Sequence, residues 1–189
     1  MRKKIFQTLE DRGNPIEIEK CGPYRCTWKN TWLGHGHYFW DTFVENAHFW
    51  GSQRRFKGRY VICEATFEYS LDTCFDLVGT TEHIEDFRKS HDLLCEKLNT
   101  SKITVVRVLE FMKQTNTFKY HATRAWGMQT KSISKNKYRV MFELLKNSKR
   151  PQYLDTKPAI QISIYNLDAV NFNGVSIIHP DHYISGYAV

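Results

Sequence analysis

The clearest periodic signal lies between Arg59 and Leu71. Val61, Cys63, Ala65, Phe67 and Tyr69 fall on one side of an extended chain, and Ile62, Glu64, Thr66 and Glu68 on the other. That two-residue period predicts a half-buried strand. Shorter β-prone runs are Pro23 to Trp28, the approach Gly34-His35-Gly36-His37-Tyr38-Phe39-Trp40, Tyr138 to Phe142, Ile160 to Tyr165, and Gly174 to Ile178, the last broken by Pro180. The helical period appears behind Asp41, read as an N-cap. There Phe43, Ala47 and Trp50 share one face, and Gly51 is the stop. A longer helix is predicted over Glu82 to Leu98, with Ile84, Phe87, His91, Leu94 and Leu98 as its core stripe. Ser101 to Gln114 is a second helix or a strand followed by a helix, the apolar cluster from Ile103 to Met112 fitting either. His121 to Trp126 reads as a short helix, and the first twenty residues as irregular, with a turn at Gly13-Asn14-Pro15.

Strands at both ends with helices between them predict an α+β class rather than a repeated βαβ winding. No repeat and no Gly/Pro-rich linker divides the chain, so residues 1–189 are expected to form a single domain. A chain of this length buries about two-thirds of its unfolded surface and needs no disulfide framework. The five cysteines, Cys21, Cys26, Cys63, Cys74 and Cys95, make no C-x-x-C pair and read as reduced, packed thiols. The apolar fraction, 41%, and the charged fraction, 25%, are ordinary, whereas 14% aromatic residues is high enough to suggest a pocket that stacks on a flat ligand. No apolar run approaches the roughly 20 residues that cross a bilayer. The basic start, Met1 to Phe6, is followed at once by polar residues rather than by the apolar middle of a leader. The expectation is a cytoplasmic protein without a membrane partner.

The formal charge is +7, with basic clusters at Arg54 to Arg59, Lys131 to Arg139 and Lys146 to Arg150. Charge of this kind suits an acidic partner, nucleic acid included. A basic nucleic-acid-binding domain is therefore one reading, resting on charge alone. No phosphate-binding loop, dinucleotide fingerprint or G-x-S-x-G elbow is present.

Candidate chemistry converges on Tyr24 to Gly51. Arg25 is a fork-shaped cation in an aromatic-flanked run, suited to a phosphate or carboxylate. Gly34 and Gly36 permit close backbone approach, and Tyr38, Phe39, Trp40, Trp28, Trp32 and Trp50 offer flat faces. Arg25, the run Gly34 to Trp40, and Ala47-His48-Phe49-Trp50-Gly51 together resemble the amino-terminal half of the ADP-ribosyltransferase family, in its toxin-type branch. The resemblance implies a split β-sheet core with helices inserted between early and late strands. It also implies NAD as substrate, held in an open cleft where the nicotinamide–ribose bond is cleaved and ADP-ribose passes to an acceptor or to water. By that resemblance Arg25, Thr27, Gly36, His37, Tyr38 and Trp50 would bind NAD, Tyr38 would pack on nicotinamide, and Ala47 and Trp50 would back the cleft. The family's late-strand Glu is matched in position by Gln161, which with Tyr38 makes the implied catalytic pair. Gln161 departs from the family pattern: an amide can bond a ribose hydroxyl but supplies no charge. A catalytically inactive nucleotide-binding module is therefore an alternative. Arg124 and Arg139 resemble basic positions between the helices and last strands. The implied partners are an acceptor protein or nucleic acid, and a neutralising protein of the antitoxin kind.

His35 and His37 share one face of an extended segment and, with His48, would be the nearest approach to a metal site, as would His179 with His182. No carboxylate or cysteine completes either set, and no metal is predicted. His35 or His37 could serve as general acid or base. Glu64 with Glu68, or Glu143, are the other candidate acids, though a row such as Glu64 and Glu68 reads first as a solvated face.

Overall fold

The computed structural model describes residues 1–53, 56–126, 138–142 and 153–184. Strand β1 (Arg2–Glu10) is followed by helix α1 (Pro15–Cys21), β2 (His37–Asp41), α2 (Val44–Gly51), β3 (Tyr60–Glu68) and β4 (Cys74–Asp76). Helices α3 (Thr81–Leu98) and α4 (Val105–Gln114) precede β5 (Ala122–Ala125), β6 (Arg139–Met141), β7 (Tyr153–Asp155), β8 (Gln161–Ile164) and β9 (Asn173–His179). The class is α+β. The described strands form one seven-stranded sheet in the order β4-β5-β8-β2-β1-β3-β9, with β6 and β7 as a separate antiparallel pair. Within the large sheet β4 and β5 run parallel and all other neighbours antiparallel.

Several elements differ from the sequence expectation for local reasons. The first residues form β1 because Ile5 and Phe6 are both buried, one on each side of the sheet, so the run shows no alternation. Helix α1 starts at Pro15, where a missing N–H costs nothing, with Glu17 in its first turn and Lys20 in its last. Asp41 is not a helix cap. Its carboxylate is taken by Lys3 and Arg124, Thr42 turns at φ 64°, and α2 begins only at Val44. Residues Pro23 to Trp28 make no strand beyond a single bridge between Cys26 and Gly36. Within the run His121 to Trp126, Ala122–Ala125 form strand β5, not a helix. It is buried between β4 and β8, and both neighbours supply its hydrogen-bond partners. The cluster from Ile103 to Met112 resolves as helix α4, which buries Val108, Leu109 and Met112. Helix α3 packs Leu94 and Phe87 inward as expected, but His83 is buried in place of Ile84, and Ile84 and Leu98 are exposed.

The strand faces carry separate cores. Ile5, Phe39, Phe67 and Ile162 pack together on one side, beneath Leu167 and Phe172. On the other side Phe6, Trp40 and Ile62 meet Ala47 of α2, while Phe75, Val108, Leu109 and Met112 join α4 to the β4–β5 end. The sheet is not uniformly zipped. Strand β1 pairs with β3 from Arg2–Glu68 through Glu10–Tyr60, but meets β2 at Ile5–Asp41 and Phe6–Trp40 alone. Beyond those pairs β1 and β2 part. The buried Gln7 spans the gap: its amide nitrogen donates to the carbonyls of Tyr24 (3.0 Å) and Tyr38 (3.4 Å), and its oxygen accepts from the Tyr24 amide (3.1 Å). Cys63 and Cys74 are buried free thiols, each pushed up to about 12 by burial.

Candidate functional site

A cavity of about 860 Å³ opens where β1 and β2 part, within the range of small-molecule sites. Alternation along β2 sends Tyr38 and Trp40 to one face and Phe39 and Asp41 to the other. Tyr38 and Trp40 line the cavity, and cross-strand register sets Gln161 directly opposite Trp40. Helix α2 brings Trp50 against Trp40 in an edge-on contact, ring centroids 6.1 Å apart, while its Ala47 is fully buried on the sheet. Trp28 and Trp32 come from the loop before β2, and Gln7 and Tyr24 from the gap itself.

The loop is held in place by hydroxyls. Leu33 is fully buried beside Val108, Leu109 and Met112. Its amide donates to the Tyr38 hydroxyl (2.9 Å), which donates in turn to the Gly34 carbonyl (2.8 Å), and the Tyr165 hydroxyl donates to the Leu33 carbonyl (2.8 Å). Gly34 sits at φ +84°, a conformation that favours glycine. Burial pushes the Tyr38 hydroxyl up to about 12. That group is therefore neutral and committed to the loop, and the cavity meets the ring. Trp32 donates its indole N–H to the Gln161 side-chain oxygen at 2.8 Å.

Arg25 is exposed at the cavity rim and makes no hydrogen bond or ion pair with the described residues. The other charged groups among the described lining residues are engaged: Arg12 binds Glu10 through two nitrogens (3.0 and 2.9 Å), and Asn14 donates to Glu17 (2.8 Å). Among the described residues Arg25 is thus the unengaged cation of the cavity lining.

Of the residues expected to bind, Arg25, Tyr38, Trp50 and Gln161 line the cavity together, and Thr27, Gly36 and His37 do not. Thr27 is exposed one residue beyond the Cys26 bridge. Gly36 is buried against β8, where an added Cβ would lie 2.4 Å from the Ser163 hydroxyl, so its smallness serves packing. His37 pairs with Ile164 on the side of β2 away from Tyr38. Its Nδ1 has no partner among the described residues, and burial, reinforced by Arg25, lowers its pKa.

Arg124 points away from the cavity into a buried ion network. It donates to Asp41 (2.7 Å) and Asp76 (3.0 Å), Lys3 binds Asp41 (3.3 Å), and the Tyr69 hydroxyl donates to Asp76 (2.7 Å). Its charges balance, which is what makes such burial tolerable. Arg139 stacks on Tyr153 in the β6–β7 pair. Glu64 binds Lys4 and Glu68 accepts from Asn171, as surface groups do. Glu143, Arg54, Arg55, residues 131–137 and residues 146–150 lie outside the described residues. No three His, Cys, Asp or Glu side chains gather as a metal site among the described residues, and none of the described helices is long and apolar enough to cross a membrane. Sequence reasoning missed Gln7, because β1 itself carries no alternation to announce it.

Comparison with family models, curated proteins and solved structures gave no match.

Proposed function

We propose that the cavity binds NAD and that the chain is an ADP-ribosyltransferase-like enzyme of the toxin or defence type, cleaving the nicotinamide–ribose bond. One observation carries this reading: Arg25, Tyr38, Trp50 and Gln161, far apart in sequence, line one cavity where the sheet parts. The parting of β1 from β2, with α3 and α4 between the early and late strands, supports the finer description of a split-sheet core. The chemistry is consistent. Arg25 suits the pyrophosphate. Tyr38, Trp40 and Trp50 suit the nicotinamide, which in NAD is a flat cation and is attracted to the electron-rich face of an indole or phenol. A carboxylate beside the reacting sugar would stabilise the developing positive charge far more than an aromatic face can. Turnover through the neutral Gln161 is therefore expected to be slow. The test is release of nicotinamide from NAD by the purified protein, with Arg25→Ala and Tyr38→Ala as controls. Release that both substitutions abolish supports the reading. Neither release nor binding of NAD overturns it.

A second reading is a module that binds the nucleotide without turnover. It is favoured by the engagement of both carboxylates on the described cavity wall, Glu10 with Arg12 and Glu17 with Asn14. Binding without nicotinamide release, and release gained in Gln161→Glu, would separate it from the first.

A further inference from the structure

An indole N–H can only donate, so the atom of Gln161 that faces Trp32 at 2.8 Å must be the amide oxygen. The nitrogen of the same planar amide then lies on the opposite side of the group. It has no partner among the described residues, and Gln161 is part of the cavity wall. A free Gln side chain turns over readily and offers either end to a ligand. This one is 8% exposed and pinned, and its anchor is itself fixed by Leu33, buried in the α4 core and bonded on both its amide and its carbonyl.

We infer that Trp32 is a positioning residue that sets the polarity of the cavity wall, holding Gln161 with its N–H₂ toward the ligand so that the group seated there is a hydrogen-bond acceptor. The inference deepens the NAD reading and rests on it for the ligand's identity, though not for the geometry. It also gives Gln161→Glu a defined outcome. The indole would bind one carboxylate oxygen and hold the other toward the cavity, turning a donor wall into a charged acceptor wall without moving the backbone.

The experiment has two arms on the full chain. In the first, proton–nitrogen NMR follows the Trp32 indole N–H and the Gln161 side-chain N–H₂ without ligand. Gln161→Leu is expected to move the Trp32 indole proton upfield and speed its exchange, and Trp32→Phe to speed exchange of the Gln161 amide protons. An indole resonance unmoved by Gln161→Leu overturns the inference, and this reading needs no folded Trp32 variant. In the second arm NAD is titrated calorimetrically into the wild type, Trp32→Phe, Gln161→Leu and the double variant. Each single change should weaken binding roughly three- to ten-fold, the value of one hydrogen bond, and the double variant should bind no more weakly than the poorer single one. Losses that multiply in the double variant mean that Trp32 acts independently and overturn the positioning role. Absence of NAD binding by the wild type sinks the proposed ligand, while the NMR arm still decides the pairing.

Discussion

At the residue scale the cavity depends on groups whose polar ends are spent within the protein. Tyr38 is the plainest case: its hydroxyl ties Leu33 and Gly34 to β2, and the residue lines the cavity. Tyr38→Phe keeps the ring but strands the buried Leu33 amide, which is expected to cost about 1–3 kcal/mol in denaturant unfolding, with NAD binding reduced only as far as the loop loosens. Tyr38→Ala should lose binding outright. Gly36 makes the opposite case. Gly36→Ala sets a Cβ 2.4 Å from the Ser163 hydroxyl and 3.0 Å from the Ile164 carbonyl, and the overpacking is expected to cost about 1–3 kcal/mol. Thermal unfolding would check it, and an unchanged melting temperature would mean that β2 and β8 can part at no cost.

At the element scale the sheet is held by polar stitches that periodicity does not reveal. Arg124 on β5 joins Asp41 at the end of β2 to Asp76 at the end of β4. Arg124→Met leaves buried Asp76 without a cation and Asp41 with Lys3 alone, and a loss of about 3–5 kcal/mol is expected by chemical denaturation. Burial alone would raise the pKa of Asp76, but the Tyr69 hydroxyl, the Val78 and Gly79 amides and Arg124 outweigh it and hold the carboxyl below its ordinary value. A carboxyl that ionises more readily when folded contributes stability that is complete above the ordinary aspartate value, near 4, and lost as pH falls through the lower folded value. The melting temperature should therefore drop below about pH 4, and Asp76→Asn should flatten that drop. Sequence pattern revealed β3, α3 and β8 because each shows a clear period. It did not reveal β1, where Ile5 and Phe6 face opposite sides, or the four-residue β5, which is flanked by β4 and β8 and buried except at Arg124. Of the site, Arg25, Tyr38, Trp50 and Gln161 were legible as residue types in their runs. The positions of His37 and Gly36 were not, because strand alternation turns one away from the cavity and β8 covers the other. Asp41 misled because a carboxylate before a helix looks like a cap whether or not a distant arginine claims it.

At the scale of the whole molecule the functional reading rests on one topological fact. Strands β1 and β2 are neighbours that separate beyond the Phe6–Trp40 pair, toward Gln7 on β1 and Phe39 on β2, and the opening is bridged by Gln7 and lined with aromatic rings. Gln7→Leu should preserve the apolar fill but leave the Tyr24 amide and carbonyl unpaired. The expected result is faster amide exchange across Tyr24 to Trp28, with β3 unaffected. The central claim is that this opening is an NAD site with Arg25 at its rim and Tyr38 within it. Calorimetric titration of NAD into the purified chain tests that claim most directly. Saturable one-to-one binding, weakened at least ten-fold by Arg25→Ala and by Tyr38→Ala separately, is the predicted result. A wild type that takes up no NAD, or binding that neither substitution changes, would contradict it.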